Sequence, residues 1–79
     1  MKCVNIRLSV NRDLNQFVSI VSRFPYEMNL CSGRHIRDAK SVLGILSLDL
    51  SRPLLLMIHH DSCEQLLEEL NPFIETETA

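Results

Sequence analysis

The sequence predicts an α+β fold in which four strands and three helices follow the order β-α-β-β-α-β-α, an antiparallel sheet covered by helices on one face. Three observations predict it. Near the N-terminus and again around residue 28, apolar and polar residues alternate, as in half-buried strands. Residues 14–24 and 63–74 instead carry apolar side chains at helical spacing. Between them lies the longest apolar run, Leu54–Ile58, which reads as a continuous apolar strand. With all helices on one side, the other sheet face is left open to water or to a partner.

Each element has a local reason. Val4, Ile6 and Leu8 are apolar and Asn5 and Arg7 polar, which makes the first strand. Asn11 is placed to cap the helix that follows. Leu14, Phe17, Val18, Val21 and Phe24 then form one amphipathic stripe. Pro25 stops it, because the residue before a proline is pushed out of the helical region. Tyr26, Met28 and Leu30 alternate with Glu27, Asn29 and Cys31 in a second strand, and Ser32-Gly33 supplies a hairpin turn. Residues 34–38 read as a short third strand with Ile36 pointing inward. Ser41 caps a short helix over residues 42–48. Pro53 opens a strand over residues 54–59. Asp61 and Glu64 have the spacing of a capping box, with Asp61 as the cap. Cys63, Leu66, Leu67, Leu70 and Ile74 make the stripe of the last helix, with Pro72 as a breaker in its final turn.

Composition narrows the function. The 79 residues are 46% apolar and 23% charged, enough for one domain over residues 1–79 and too apolar for a disordered chain. Eight basic and ten acidic side chains give a net charge of −2, which argues against a nucleic-acid module. The basic residues gather in the first half and the acidic ones in the second, read as two complementary solvated surfaces. Cys3, Cys31 and Cys63 are odd in number and widely spaced, a poor disulfide framework. With no secretory leader expected, a reducing cytoplasm is the simplest location. No apolar run is long enough to cross a bilayer, so no membrane role is expected.

Little catalytic chemistry is visible. Only Gly33 and Gly44 occur, so there is no glycine-rich phosphate loop. His59, His60, Asp61 and Cys63 are all zinc-ligating types, but adjacent histidines leaving a strand point to opposite faces. Ordinary strand-end polarity is preferred, and neither metal nor cofactor is expected. His35 reads as a solvated imidazole. Asp13, Asp38 and Asp49 lie in different elements and form no carboxylate pair. Cys3 and Cys31 fall on the open sheet face with no basic neighbour to activate them. Leu55 and Met57 fall at its middle, where a second copy could pack, although isolated surface hydrophobes are common.

Residues 38–48, Asp-Ala-Lys-Ser-Val-Leu-Gly-Ile-Leu-Ser-Leu, are the informative segment. A serine stands at a helix N-terminus, followed by more apolar residues than a short helix can bury. Leu43 or Ile45 with Leu48 suffices to anchor it, leaving Val42 and Leu46 to face outward. This segment resembles the regulatory-serine region of HPr, the phosphocarrier protein of the bacterial sugar phosphotransferase system. Ser22-Arg23-Phe24, Met28-Asn29-Leu30, the element order and the last helix are similar to that family too.

The resemblance implies an open-faced β-sandwich whose strand over residues 54–59 lies between the first and second strands. It implies that Ser41 matches the serine modified by the family's kinase; a phosphate there would lie at the positive end of the helix dipole, with Arg37 and Lys40 close in sequence. Val42, Leu43 and Leu46 match helix positions that present apolar contacts to partners, and Gly44 matches the family's second-helix glycine. HPr proteins also carry a phosphorylatable histidine in a Gly-x-His-x-Arg-Pro motif. The matching stretch here, Leu8-Ser-Val-Asn-Arg-Asp-Leu14, has no histidine, glycine or proline. Arg12 aligns with the motif arginine but has no imidazole to assist, so phosphoryl relay is not carried over.

The expected function is that of a non-catalytic HPr-like regulator in carbon catabolite control, binding a protein partner through the Ser41 helix with Val42, Leu43, Leu46, Arg12, Arg37 and Lys40 as the expected contacts, and open to regulation by phosphorylation of Ser41. HPr kinase and a transcriptional regulator are the candidate partners. Two alternatives stand beside it. The β-α-β-β-α-β core also resembles ACT-type small-ligand modules, although residues 9–13 lack the glycines such a loop would favour. The other is a carrier that uses His35, His59 or His60.

Overall fold

The computed structural model describes residues 1–75. Its elements are β1 (Lys2–Ile6), α1 (Leu14–Ser22), β2 (Met28–Ser32), β3 (His35–Asp38), α2 (Val42–Leu46), β4 (Leu54–Ile58) and α3 (Glu64–Leu70). A 3₁₀ turn at Asn71–Phe73 follows α3. The sheet order is β1-β4-β2-β3, with every neighbouring pair antiparallel. The apolar run of β4 thus occupies an interior position, as the resemblance implied.

Alternation along β4 sets the two faces. Leu54, Leu56 and Ile58 are fully buried against the helices, while Leu55, Met57 and His59 face the other way. Ile6, Met28 and Leu30 extend the same inner layer, and Phe17, Val21, Ile45, Leu66 and Leu70 close it from the helical side. Phe17 meets Phe73 edge-on at 6.1 Å between ring centres. The outer edge of β1 is covered by the segment that follows α3. Arg7 N–H donates to the Phe73 carbonyl and Glu75 N–H to the Asn5 carbonyl, each at 2.8 Å. This hides backbone groups that an edge strand otherwise offers to other chains.

Several expectations are corrected. Ile36 does not point inward; it is 55% exposed. The hairpin turn has two residues, Gly33 and Arg34, closed by the pair Ser32–His35. Gly33 adopts φ +60°, the left-handed conformation required at the first position of a type II′ turn. That register pairs Ile36 with Cys31 and sends both to the open face, while Ala39 takes the buried position beyond the strand.

Asn11 does not cap α1. The Ser9 carbonyl accepts from Arg12 and Asp13 N–H, winding residues 10–13 into a turn that makes Asp13 the cap residue. Asp61 does not cap α3 either, because its carboxylate accepts from the Met1 ammonium at 2.9 Å and Cys63 takes the cap position. Ile74 lies beyond α3 in extended backbone, and Tyr26 precedes β2, stacked on His60 at 4.2 Å. Ile20, outside the expected stripe, is buried on α1.

Candidate functional site

The site is built around α2, a helix of five residues held at both ends by side chains. Ser41 has extended backbone (φ −107°, ψ 112°), and its hydroxyl oxygen accepts from Gly44 N–H at 3.1 Å. The Ser41 carbonyl accepts from Ile45 N–H at 3.0 Å. At the other end the Ser47 hydroxyl donates to the Gly44 carbonyl at 2.6 Å and accepts from Arg37 Nε at 2.9 Å. The chain enters the cap through Asp38, whose carboxylate accepts from Lys40 N–H. A side chain at Gly44 would stand 3.3 Å from the Ser41 hydroxyl and 3.4 Å from Arg37 Cβ, so glycine lets helix, cap and β3 approach closely.

Burial sorts the apolar residues of α2. Ile45 is fully buried and Leu48 nearly so, and these two anchor the segment. Val42 is half-buried and packs against the core rather than facing outward. Leu43 is 81% exposed and Leu46 46% exposed, which places two large apolar side chains in water beside the Ser41 cap. A five-residue helix makes little more than one turn, so its outer face has nothing above it to pack against.

The two cations near Ser41 are held by neutral acceptors. Lys40 Nζ donates to the Phe24 carbonyl at 2.7 Å, closing the end of α1. Arg37 spans Ser47 and the Ile36 carbonyl. Among the described residues neither pairs with a carboxylate, so their positive charge is uncompensated by a short-range partner. Ser51, in the loop after α2, donates its hydroxyl at 2.5 Å to Asp49, whose carboxyl is held below its usual range by that hydroxyl and the Ser51 N–H.

The start of α1 is chemically different. An open cavity of about 470 Å³ lies there, bordered by Arg7, Ser9, Arg12, Asp13, Ser51 and Glu75. Arg7 pairs with Glu75 at 3.0 Å and Arg12 with Asp13 at 3.4 Å, so both guanidinium groups already face carboxylates. Asp13 also accepts from Ser9 N–H at 2.9 Å. Among the described residues no imidazole lines the cavity. His59 and His60 follow the far end of β4, and His35 stands on β3, three strand positions from β1. Arg12 therefore belongs to this cavity, Arg37, Leu43 and Leu46 stand at the Ser41 helix, and the Lys40 ammonium lies against the end of α1. The role of Ser47 as the anchor of Arg37 had no signal in the sequence, because the bond joins residues ten apart across two elements.

No family model and no curated protein matches the sequence. Solved structures do. HPr-C-His of Thermoanaerobacter tengcongensis is 26% identical, with 91% of this chain and 89% of that chain covered and a TM-score of 0.75. The chain is HPr-like. The phosphocarrier protein HPr of Bacillus anthracis is 22% identical over 94% of each chain, with a TM-score of 0.67. The catabolite repression protein Crh of Bacillus subtilis, a swapped dimer, is 24% identical over 86% of this chain and 79% of that one, with a TM-score of 0.63. The open-faced sandwich of this HPr-like chain is the fold expected from the resemblance. No observation favours an ACT-type ligand site. No helix among the described residues is long and apolar enough to cross a membrane.

Proposed function

We propose that this HPr-like chain is a non-catalytic regulator that binds a protein partner through α2, under control of Ser41 phosphorylation. The observation that carries the reading is the pair Leu43 and Leu46, exposed on the helix that Ser41 caps. Exposed apolar residues beside polar ones are a common basis for a protein contact. In phosphorylation a nucleoside triphosphate would lose its γ-phosphoryl group to the Ser41 oxygen, and the hydroxyl would lose its proton. The product adds nearly two negative charges at the start of α2, with Arg37 and Lys40 close in sequence. One phosphate would therefore change the charge of the surface that holds Leu43 and Leu46.

The absence of an imidazole at the start of α1 supports a role without phosphoryl relay. The likeness to Crh supports a place in bacterial carbon catabolite control, in the cytoplasm, with HPr kinase or a transcriptional regulator as the partner. Direct binding tests this. Titration of a catabolite-control transcriptional regulator with wild-type protein, the Leu43→Glu, Leu46→Glu double variant and Ser41→Asp should show a loss of affinity in the double variant. It should also show a different affinity for Ser41→Asp. Equal affinity for all three proteins would reject the α2 surface.

A further inference from the structure

The open sheet face carries an apolar row that no part of the described chain covers. Leu55 pairs with Cys31 in register, and Cys31 with Ile36, so three neighbouring strands contribute to one line. Ile36 is 55% exposed and Leu55 37% exposed, with half-buried Met57 on the adjoining row. Burial raises the Cys31 thiol above its usual range, as expected of a side chain between apolar neighbours. A wetted sheet face normally carries polar residues at its centre.

Charge identifies what fits there. Ile36 and Asp38 are alternate residues of β3 and share the open face, and exposed Arg34 stands in the turn before β3, so along this line the order is basic, apolar, acidic. Glu27 adds a further carboxylate at the acidic end, one strand over. Among the described residues Arg34 makes no ion pair. Such a series is its own complement when turned end for end.

We infer that the open face is a self-association surface, on which two copies pack about a two-fold axis crossing the strands along the row Leu55, Cys31, Ile36. Each apolar row then covers its own counterpart, and Arg34 of each copy lies over Asp38 of the other, an isologous contact. Pairing through the free edge of β3 is less suited, because Arg37 already occupies the Ile36 carbonyl. The helices lie on the opposite face, so α2 stays accessible in the dimer and the inference does not depend on the function proposed above.

Sedimentation equilibrium at high micromolar concentration tests it, with far-UV circular dichroism to show that each variant is folded. Wild type should dimerise, and Leu55→Lys should be monomeric. Arg34→Glu and Asp38→Arg should each weaken the dimer by about tenfold or more, through like charges facing across the axis. The double variant should recover it, and so should an equimolar mixture of the two single variants. A monomeric wild type would overturn the inference. A dimer indifferent to Leu55→Lys would also overturn it, as strand exchange or edge pairing would give, and so would a double variant as weak as the singles.

Discussion

Replacing Leu43 with Glu tests whether α2 presents an apolar face that folding does not need. Leu43 keeps 81% of its surface in water, so only about a fifth is covered. Full burial of a leucine contributes about 2 kcal/mol, which makes the loss here about 0.4 kcal/mol. The new carboxylate sits in the first turn of α2, where the helix dipole returns a few tenths of a kcal/mol. The net change is near zero. Leu46 is 46% exposed, so the same change there forfeits about 1 kcal/mol, with a slightly unfavourable charge near the helix end. Ile45 has no exposure, and Ile45→Ala should cost about 2–5 kcal/mol. In a domain of this size 1 kcal/mol moves the melting temperature by roughly 4–8 °C. Thermal unfolding followed by far-UV circular dichroism should therefore rank the variants as wild type and Leu43→Glu together, then Leu46→Glu, then Ile45→Ala. A loss above about 2 kcal/mol for Leu43→Glu would show that Leu43 is covered in solution and would refute the face assignment.

Two further outcomes follow from the caps and ion pairs. Ser41→Ala removes the bond to Gly44 N–H and should cost about 1 kcal/mol, whereas Ser41→Asp keeps an acceptor there and should retain most of it, as urea unfolding can measure. The Met1 ammonium and Asp61 carboxylate form an exposed pair. A hydrogen bond and then charge lower the Asp61 pKa and raise that of the amine. The carboxylate's share of stability is present above its ordinary pKa and is lost as pH falls through the lowered value. The amine's share is present below its ordinary pKa and is lost as pH rises through the raised one. The melting difference between wild type and Asp61→Asn should thus be greatest at about pH 5–7 and vanish at both extremes. A difference that persists in strong acid would contradict this.

Local pattern was enough where each residue's environment is set by its own element. The stripe of α1, the alternation of β1 and the Ser41 cap were all legible, because period and capping chemistry act within one turn or one pleat. The resemblance supplied the interior place of β4. Long-range partners were not legible. Asp61 has the spacing of a cap, but the Met1 ammonium, sixty residues away, competes for its carboxylate. Ile36 was assigned to the wrong face because a four-residue strand has too few positions to fix its parity. The two-residue turn at Gly33 and Arg34 decided it. The exposure of Leu43 rather than Val42 depends on how α2 lies on the core, which no sequence period in five residues can specify. The carboxylates that meet Arg7 and Arg12 at the start of α1 likewise come from the final segment and from the turn itself.

The function proposed for this HPr-like chain is control at Ser41 without a histidine relay. Phosphosite mapping by mass spectrometry tests it most directly. One sample is treated with HPr kinase and ATP, and another with the first enzyme of the phosphotransferase system and phosphoenolpyruvate. The account predicts phosphate on Ser41 in the first sample and no phosphohistidine in the second. Label on His35, His59 or His60, or modification of Ser47 or Ser51 with Ser41 untouched, would contradict it.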